Sequence, residues 1–157
     1  MGERCKEVEK VMDRMRRICS RREYCSTDIL RKAAEAFDGD DAKAREVLDK
    51  LVSEKYVDDL RYASAFARDK ASISGWGEVK IRYMLSAKGI SKDVIASAME
   101  DIDRDKAGSR LEKLLENKWR TLKEDPQGRM KLIRFALGRG YGYDTVSSVI
   151  EDICRNE

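Results

Sequence analysis

The sequence predicts an all-α protein, made of tandem three-helix repeats in an elongated, curved arrangement. Three observations predict it. Lys, Arg, Glu, Ala and Leu are abundant, proline occurs once, and long alternating β-branched runs are missing, which favours helix over sheet. Apolar residues recur at helical spacing through most of the chain. A segment of 26 residues recurs without a gap about fifty residues further on, the mark of a repeat architecture.

The elements follow in order. Val8, Val11, Met12, Met15, Ile18 and Cys19 have the spacing of a first long helix. Ser26-Thr27-Asp28 offers an N-cap for a short helix carrying Ile29, Leu30, Ala33 and Phe37. Gly39 and the acidic pair Asp40-Asp41 punctuate, and Ala44, Val47, Leu48 and Leu51 form the next apolar stripe. Asp58 is the cap of a longer helix with Tyr62, Ala63, Phe66 and Ala67.

Gly75-Trp76-Gly77 turns the chain, and its spacing matches neither a P-loop nor G-x-G-x-x-G. Ile81, Met84 and Leu85 then share a helical face, with Lys80 and Arg82 off it. Lys88 in the last turn suits the helix dipole, and Gly89 ends the helix as a left-handed residue. Ser91 caps a helix carrying Val94, Ile95, Ala98, Met99 and Ile102. A third long stripe comprises Leu111, Leu114, Leu115, Trp119 and Leu122, and Pro126 suits the first turn of the helix after it.

From Gly128, GRMKLIRFALGRGYGYDTVSSVIEDI lies over GEVKIRYMLSAKGISKDVIASAMEDI from Gly77. Lys80 meets Lys131, Ile81 meets Leu132, Met84 meets Phe135, Lys88 meets Arg139, Gly89 meets Gly140 and Ile102 meets Ile153. The first copy keeps the order of helices but lacks the basic-glycine stop. The chain divides into repeats at 1–55, 56–103 and 104–157. A unit this small buries only a thin core, so the units should lean on one another and present a long surface. The radius of gyration should exceed the roughly 15 Å of a compact globule of this length.

The charge content of 40% is far above the usual ~25%, yet the 33 basic and 30 acidic residues leave a net charge of only +3. Arg14 to Arg22, Lys80 to Lys92 and Lys106 to Arg139 are basic, and Asp38 to Asp59 is mostly acidic. Lys80, Arg82, Lys88, Lys131, Arg134 and Arg139 recur on the polar side of equivalent short helices and lead the candidates for contact with a partner or DNA. The competing reading is a solvated helix face. Trp76 serves packing or recognition, whereas Trp119, Tyr56, Tyr62 and Phe66 have core spacing. One of Tyr141 and Tyr143 should pack inward.

Catalysis finds no support. The chain has no histidine, so Ser72, Ser74 and Ser91 have no Ser–His base. Cys5, Cys19, Cys25 and Cys154 lack metal-site spacing. Asp58 and Asp59 read as capping residues. No catalytic residue, metal or cofactor is expected. No secretory signal or membrane-length apolar run is evident, which predicts a cytoplasmic protein with reduced thiols.

Taken together, the ordered elements resemble the RecX family, bacterial modulators of the RecA recombinase. The resemblance rests on Arg22-Glu23-Tyr24-Cys25, then Tyr56-Val57-Asp58-Asp59 with Arg61-Tyr62-Ala63 and Phe66. It continues through Gly75-Trp76-Gly77 with Lys80-Ile81 and Lys88-Gly89-Ile90, and through Lys131 to Phe135 with Arg139-Gly140-Tyr141 and Tyr143-Asp144. Cysteine stands at position 25 where the family has serine. The resemblance implies a monomeric regulator of DNA repair, recombination and the SOS response that lies in the groove of the RecA–DNA filament. It implies inhibition of strand exchange, ATP hydrolysis and co-protease activity, with no catalytic residues. Some members also bind DNA, single- or double-stranded. A stand-alone, sequence-indifferent DNA-binding protein and a helical scaffold for another partner are the alternatives.

Overall fold

The computed structural model describes residues 2–156, which form nine α-helices and no strand among the described residues. They are α1 (Gly2–Arg21), α2 (Ser26–Ala36), α3 (Asp41–Ser53), α4 (Asp59–Ser72), α5 (Glu78–Ala87), α6 (Lys92–Met99), α7 (Arg104–Leu122), α8 (Gly128–Gly138) and α9 (Tyr143–Arg155). Every helix pair with substantial packing lies within one of the triplets α1–α3, α4–α6 or α7–α9.

Local chemistry sets the boundaries. Asp40, Asp58, Ser91 and Asp103 each accept a backbone N–H from three residues on, which satisfies one orphan donor at the start of α3, α4, α6 and α7. Gly89 and Gly140 take the left-handed conformation after α5 and α8, with φ of 78° and 94°. Two expectations are corrected. Ser26, Thr27 and Asp28 are not the cap of α2; Cys25 holds that position without a side-chain cap bond to a backbone N–H, and the other three lie in the first turn, where they serve the neighbouring triplet. Pro126 lies outside α8, in a turn that Gly128 N–H closes on the Asp125 carbonyl, while the Asp125 carboxylate takes the Gln127 N–H. Pro126 thus presets a reverse turn rather than a first helical turn.

Each triplet has its own core. Met12, Ile29, Val47 and Leu51 anchor the first, Ile81, Leu85 and Met99 the second, and Leu111, Leu115, Leu132 and Ile150 the third. Positions matched by the repeat share burial: Ile81 with Leu132, Leu85 with Ala136, Ile95 with Val146, Met99 with Ile150 and Ile102 with Ile153. Trp119, Tyr56 and Phe66 are only half-buried, at core edges, whereas Tyr62 is buried. Tyr141 packs inward and Tyr143 stays exposed.

The accessible surface is 10101 Å² for 18.0 kDa. A compact monomer of that mass exposes about 8,000 Å². The excess of roughly a quarter is what three small cores in a row require, and it marks an elongated molecule.

Candidate functional site

The triplets meet at corners built from the basic-glycine stops. Between the second and third, the α8–α9 corner covers the N-terminus of α5. Gly77 N–H donates to the Arg139 carbonyl at 2.9 Å, and Val79 N–H to the Gly140 carbonyl at 2.9 Å. The first-turn donors of α5 are thus satisfied by another triplet. The backbones touch so closely that a Cβ on Gly77 would lie 2.4 Å from the Gly140 carbonyl carbon, and one on Gly140 would lie 2.2 Å from Lys80 Cβ. Tyr141 hydroxyl closes the corner on the Gly75 carbonyl at 3.1 Å.

The junction of the first and second triplets repeats the plan. The α5–α6 corner meets the first turn of α2: Thr27 hydroxyl donates to the Lys88 carbonyl at 2.6 Å, and Lys88 Nζ reaches the buried Asp28 carboxylate at 3.3 Å. Ser26 N–H donates to Asp59, and Arg61 bridges Glu23 and the carbonyls of Lys55 and Tyr56. The two junctions differ in one charge. With α2 and α5 aligned from their first residues, Asp28 falls where Lys80 stands. Lys88 therefore has an anion to meet, whereas Arg139 does not. Arg139 donates to the Ser74 carbonyl at 3.2 Å instead, leaving its buried Nε without an acceptor. Lys80 turns over the Trp76 ring, 4.3 Å from its centroid.

The seven sequence candidates fall into distinct settings. Lys88 and Arg139 stand in the corners, 40% and partly exposed respectively. Arg82 is exposed, 3.9 Å from Glu78 on its own helix. Lys131 is exposed and ion-paired with Asp125. Arg134 is exposed, with no carboxylate within 4.0 Å among the described residues. Lys80 and Trp76 are half-buried and joined by their cation–π contact. Sequence reasoning missed Lys70, whose ammonium lies 4.7 Å from the same Trp76 centroid, and Asp28. The signal for Asp28 was available: it is an acidic residue where the second copy has Lys80 and the third Lys131.

Two family models match, described as the RecX second three-helix domain, over residues 58–99, and the RecX third three-helix domain, over residues 109–150. Regulatory protein RecX of Chromohalobacter salexigens is 32% identical over 131 residues, which are 83% of this chain and 84% of that protein. The chain belongs to the RecX family. Regulatory protein RecX of Clostridium botulinum (strain Eklund 17B) is 35% identical over 72% of the chain, but that stretch is 54% of the relative. The chain thus spans about half the length of the clostridial RecX relatives it matches. The crystal structure of RecX from Lactobacillus salivarius superposes with a TM-score of 0.84 at 19% identity, covering 95% of this chain and 97% of that one. Another crystal structure of regulatory protein RecX gives 0.84 at 22% identity, over 96% and 74%. At these identities the superpositions speak for the RecX fold.

The family models map onto the second and third triplets, the pair joined by the glycine corner. In this RecX chain, no group of three or more metal-ligating side chains gathers among the described residues, and no described helix is long and apolar enough to cross a membrane. The first junction carries a pH signature. Burial alone would push the Asp28 carboxyl up, but hydrogen bonds from Cys25 and Lys88, with the charges of Lys88 and Arg31, hold it below the usual carboxylate range. Its folded pKa being depressed, the stabilisation is present above the unfolded value near ~3.9 and is lost as pH falls through the folded one. Melting curves of wild type and Asp28→Asn should differ at neutral pH and converge in acid below the carboxylate range. A constant offset across that range would contradict the pairing of Asp28 with Lys88.

Proposed function

We propose that this protein is a regulator of the RecA recombinase, a cytoplasmic monomer that binds in the groove of the RecA–DNA filament and inhibits strand exchange, ATP hydrolysis and co-protease activity in DNA repair and recombination. The observation that carries the reading is membership of a family whose curated relatives are named regulatory proteins, on a chain that repeats one module in an elongated row. Repetition suits a repeating target. Contacts made at successive protomers add through effective concentration, so weak local binding sums to a firm grip. No catalytic group is required for this.

Lys80, Arg82, Lys131, Arg134 and Trp76 are the residues we assign to the partner surface. Lys88 and Arg139 act through the corners, by fixing the angle and spacing at which neighbouring modules present their helices. Reversing Lys80, Arg82, Lys131 and Arg134 to Glu removes the surface charge and leaves the corner residues in place.

Substoichiometric wild-type protein should slow ATP hydrolysis by RecA on single-stranded DNA. The four-residue reversal should need at least tenfold more protein for the same effect, with helicity unchanged. Unaltered ATP turnover and filament length at saturating wild-type protein would remove the proposal. Full potency in the reversal would place the contact on another face.

A further inference from the structure

The two junctions are held by different chemistry. Three backbone hydrogen bonds cross the second: Gly77 and Val79 N–H at 2.9 Å and Lys80 N–H at 3.3 Å, all onto the carbonyls of Arg139 and Gly140. Tyr141 and Arg139 add side-chain bonds to the Gly75 and Ser74 carbonyls, and Arg110 reaches the Ala71 carbonyl. One ion pair accompanies them, Arg104 with Glu78, and it is partly exposed. Across the first junction, no backbone N–H meets a backbone carbonyl between 2–53 and 59–102 among the described residues. The bonds there all use a side chain. Ser26 N–H donates to the Asp59 carboxylate at 2.8 Å, Arg61 to Glu23 at 2.6 Å and Lys88 to Asp28 at 3.3 Å, so each of these three involves an ionised group. Thr27 hydroxyl, on the Lys88 carbonyl, is the neutral donor among them.

The chain between the first two triplets narrows to one pivot. Glu54 is clamped to α1 by Arg16 through two bonds, at 2.8 and 3.0 Å. Val57 is buried in the first core and Tyr56 packs against it, while α4 starts at Asp59. Asp58 stands between them in an extended conformation, at φ −148° and ψ 106°, the kind of element-terminal position that absorbs a hinge rotation. Arg61 spans the pivot, from α4 back to the carbonyls of Lys55 and Tyr56 at 3.1 and 3.2 Å. Of the first triplet, only Cys25 is buried in the second core.

Desolvation offsets most of the attraction in a half-buried ion pair, so its paired and hydrated states lie close in free energy. Salt screens the partly exposed members, Lys88, Arg61 and Glu23, and leaves neutral amide–carbonyl bonds largely as they are. We propose that the first junction is a hinge latched by ions, with Asp28–Lys88 and Glu23–Arg61 as the latch. Shut, it locks the first triplet to the second. Open, it lets the first triplet turn about Asp58 while the second and third move as one body. Ionic strength is the lever. The open hinge allows the first module to meet a curved surface at an angle of its own. The hinge belongs to the chain alone and requires no RecA, so its test and that of the recombinase reading fail independently.

The thiol of Cys25 reports the opening. It is fully buried, and burial pushes its pKa up, so it reacts slowly while the latch is shut. The experiment is alkylation by iodoacetamide, an uncharged reagent, at fixed pH, of the full chain carrying Cys5→Ser, Cys19→Ser and Cys154→Ser. Amide exchange followed by NMR in the same samples reports the second junction at Gly77 and Val79, and the first core within α1–α3. Raising salt from about 0.1 M to about 1 M, which shortens the Debye length from about 10 Å to about 3 Å, should speed Cys25 alkylation about tenfold. Exchange at Gly77, at Val79 and inside α1–α3 should change less than about twofold, since the triplet turns without unfolding. Lys88→Gln with Arg61→Gln should alkylate about tenfold faster already at low salt, lose the salt response and keep the same amides protected. Alkylation of the intact latch that ignores salt overturns the proposal, and so does a latch variant that alkylates no faster. Loss of amide protection in step with alkylation, at Gly77 and Val79 or inside α1–α3, overturns it too, because the chain then melts rather than hinges.

Discussion

Gly140→Ala should uncouple the third triplet from the second. At φ 94° a side chain costs about 1–2 kcal/mol from backbone conformation alone. The added Cβ would fall 2.2 Å from Lys80 Cβ and 3.0 Å from Lys80 N, so the corner must move off α5. With roughly 1–3 kcal/mol for overpacking, the junction loses about 2–5 kcal/mol. It then also loses the carbonyls that cap Gly77 and Val79. Small-angle scattering should show a larger radius of gyration than wild type, and trypsin should cut faster in the 70–82 region. Gly77→Ala separates the causes: its φ of −80° suits alanine, but its Cβ would lie 2.4 Å from the Gly140 backbone. Gly138→Ala is the control, with nothing within 4 Å, and should be neutral or stabilise α8 by up to about 1 kcal/mol. Identical scattering and proteolysis for Gly140→Ala and wild type would refute the corner as the joint.

Leu132→Ala should unfold the third triplet and leave the first folded. Leu132 is fully buried in a core of only seven buried residues, beside Leu111, Leu115 and Ile150. Truncation of a buried leucine costs about 2–5 kcal/mol. A unit of this size has a stability of only about 3–8 kcal/mol at typical values per residue. Hydrogen exchange should therefore lose protection across α7–α9, while α1–α3, with twelve buried core residues, keeps it. Uniform loss along the chain would mean that the three cores melt as one. Full protection of α7–α9 would mean that the site collapses around the missing side chain.

The repeat made much of this fold readable. Ile81 and Leu132 share burial, and Gly89 and Gly140 share backbone conformation, because equal spacing from one helix stop imposes equal faces. Asp58 and Ser91 cap as their chemistry requires, since a cap is settled within four residues. The corners were hidden for the opposite reason. Thr27 meets Lys88 across 61 positions and Tyr141 meets Gly75 across 66, and no local period encodes such pairs. The same distance hid why Lys88 and Arg139 recur: each stands in a joint as well as at a helix end. The failed cap at Ser26-Thr27-Asp28 has this origin too, because the Ser26 N–H and the Thr27 and Asp28 side chains serve the next unit. Lys70 escaped notice because only the fold-back of the loop sets it on Trp76.

A joint whose decisive bonds run from amide hydrogen to carbonyl oxygen is blind to most of the genetic drift around it. Replacing Glu78, Val79 or Tyr143 leaves those atoms where they are; only the few positions that tolerate no methyl group are held. Molecules with barely a fifth of their residues in common can therefore keep the same architecture, as the two crystallographic relatives do.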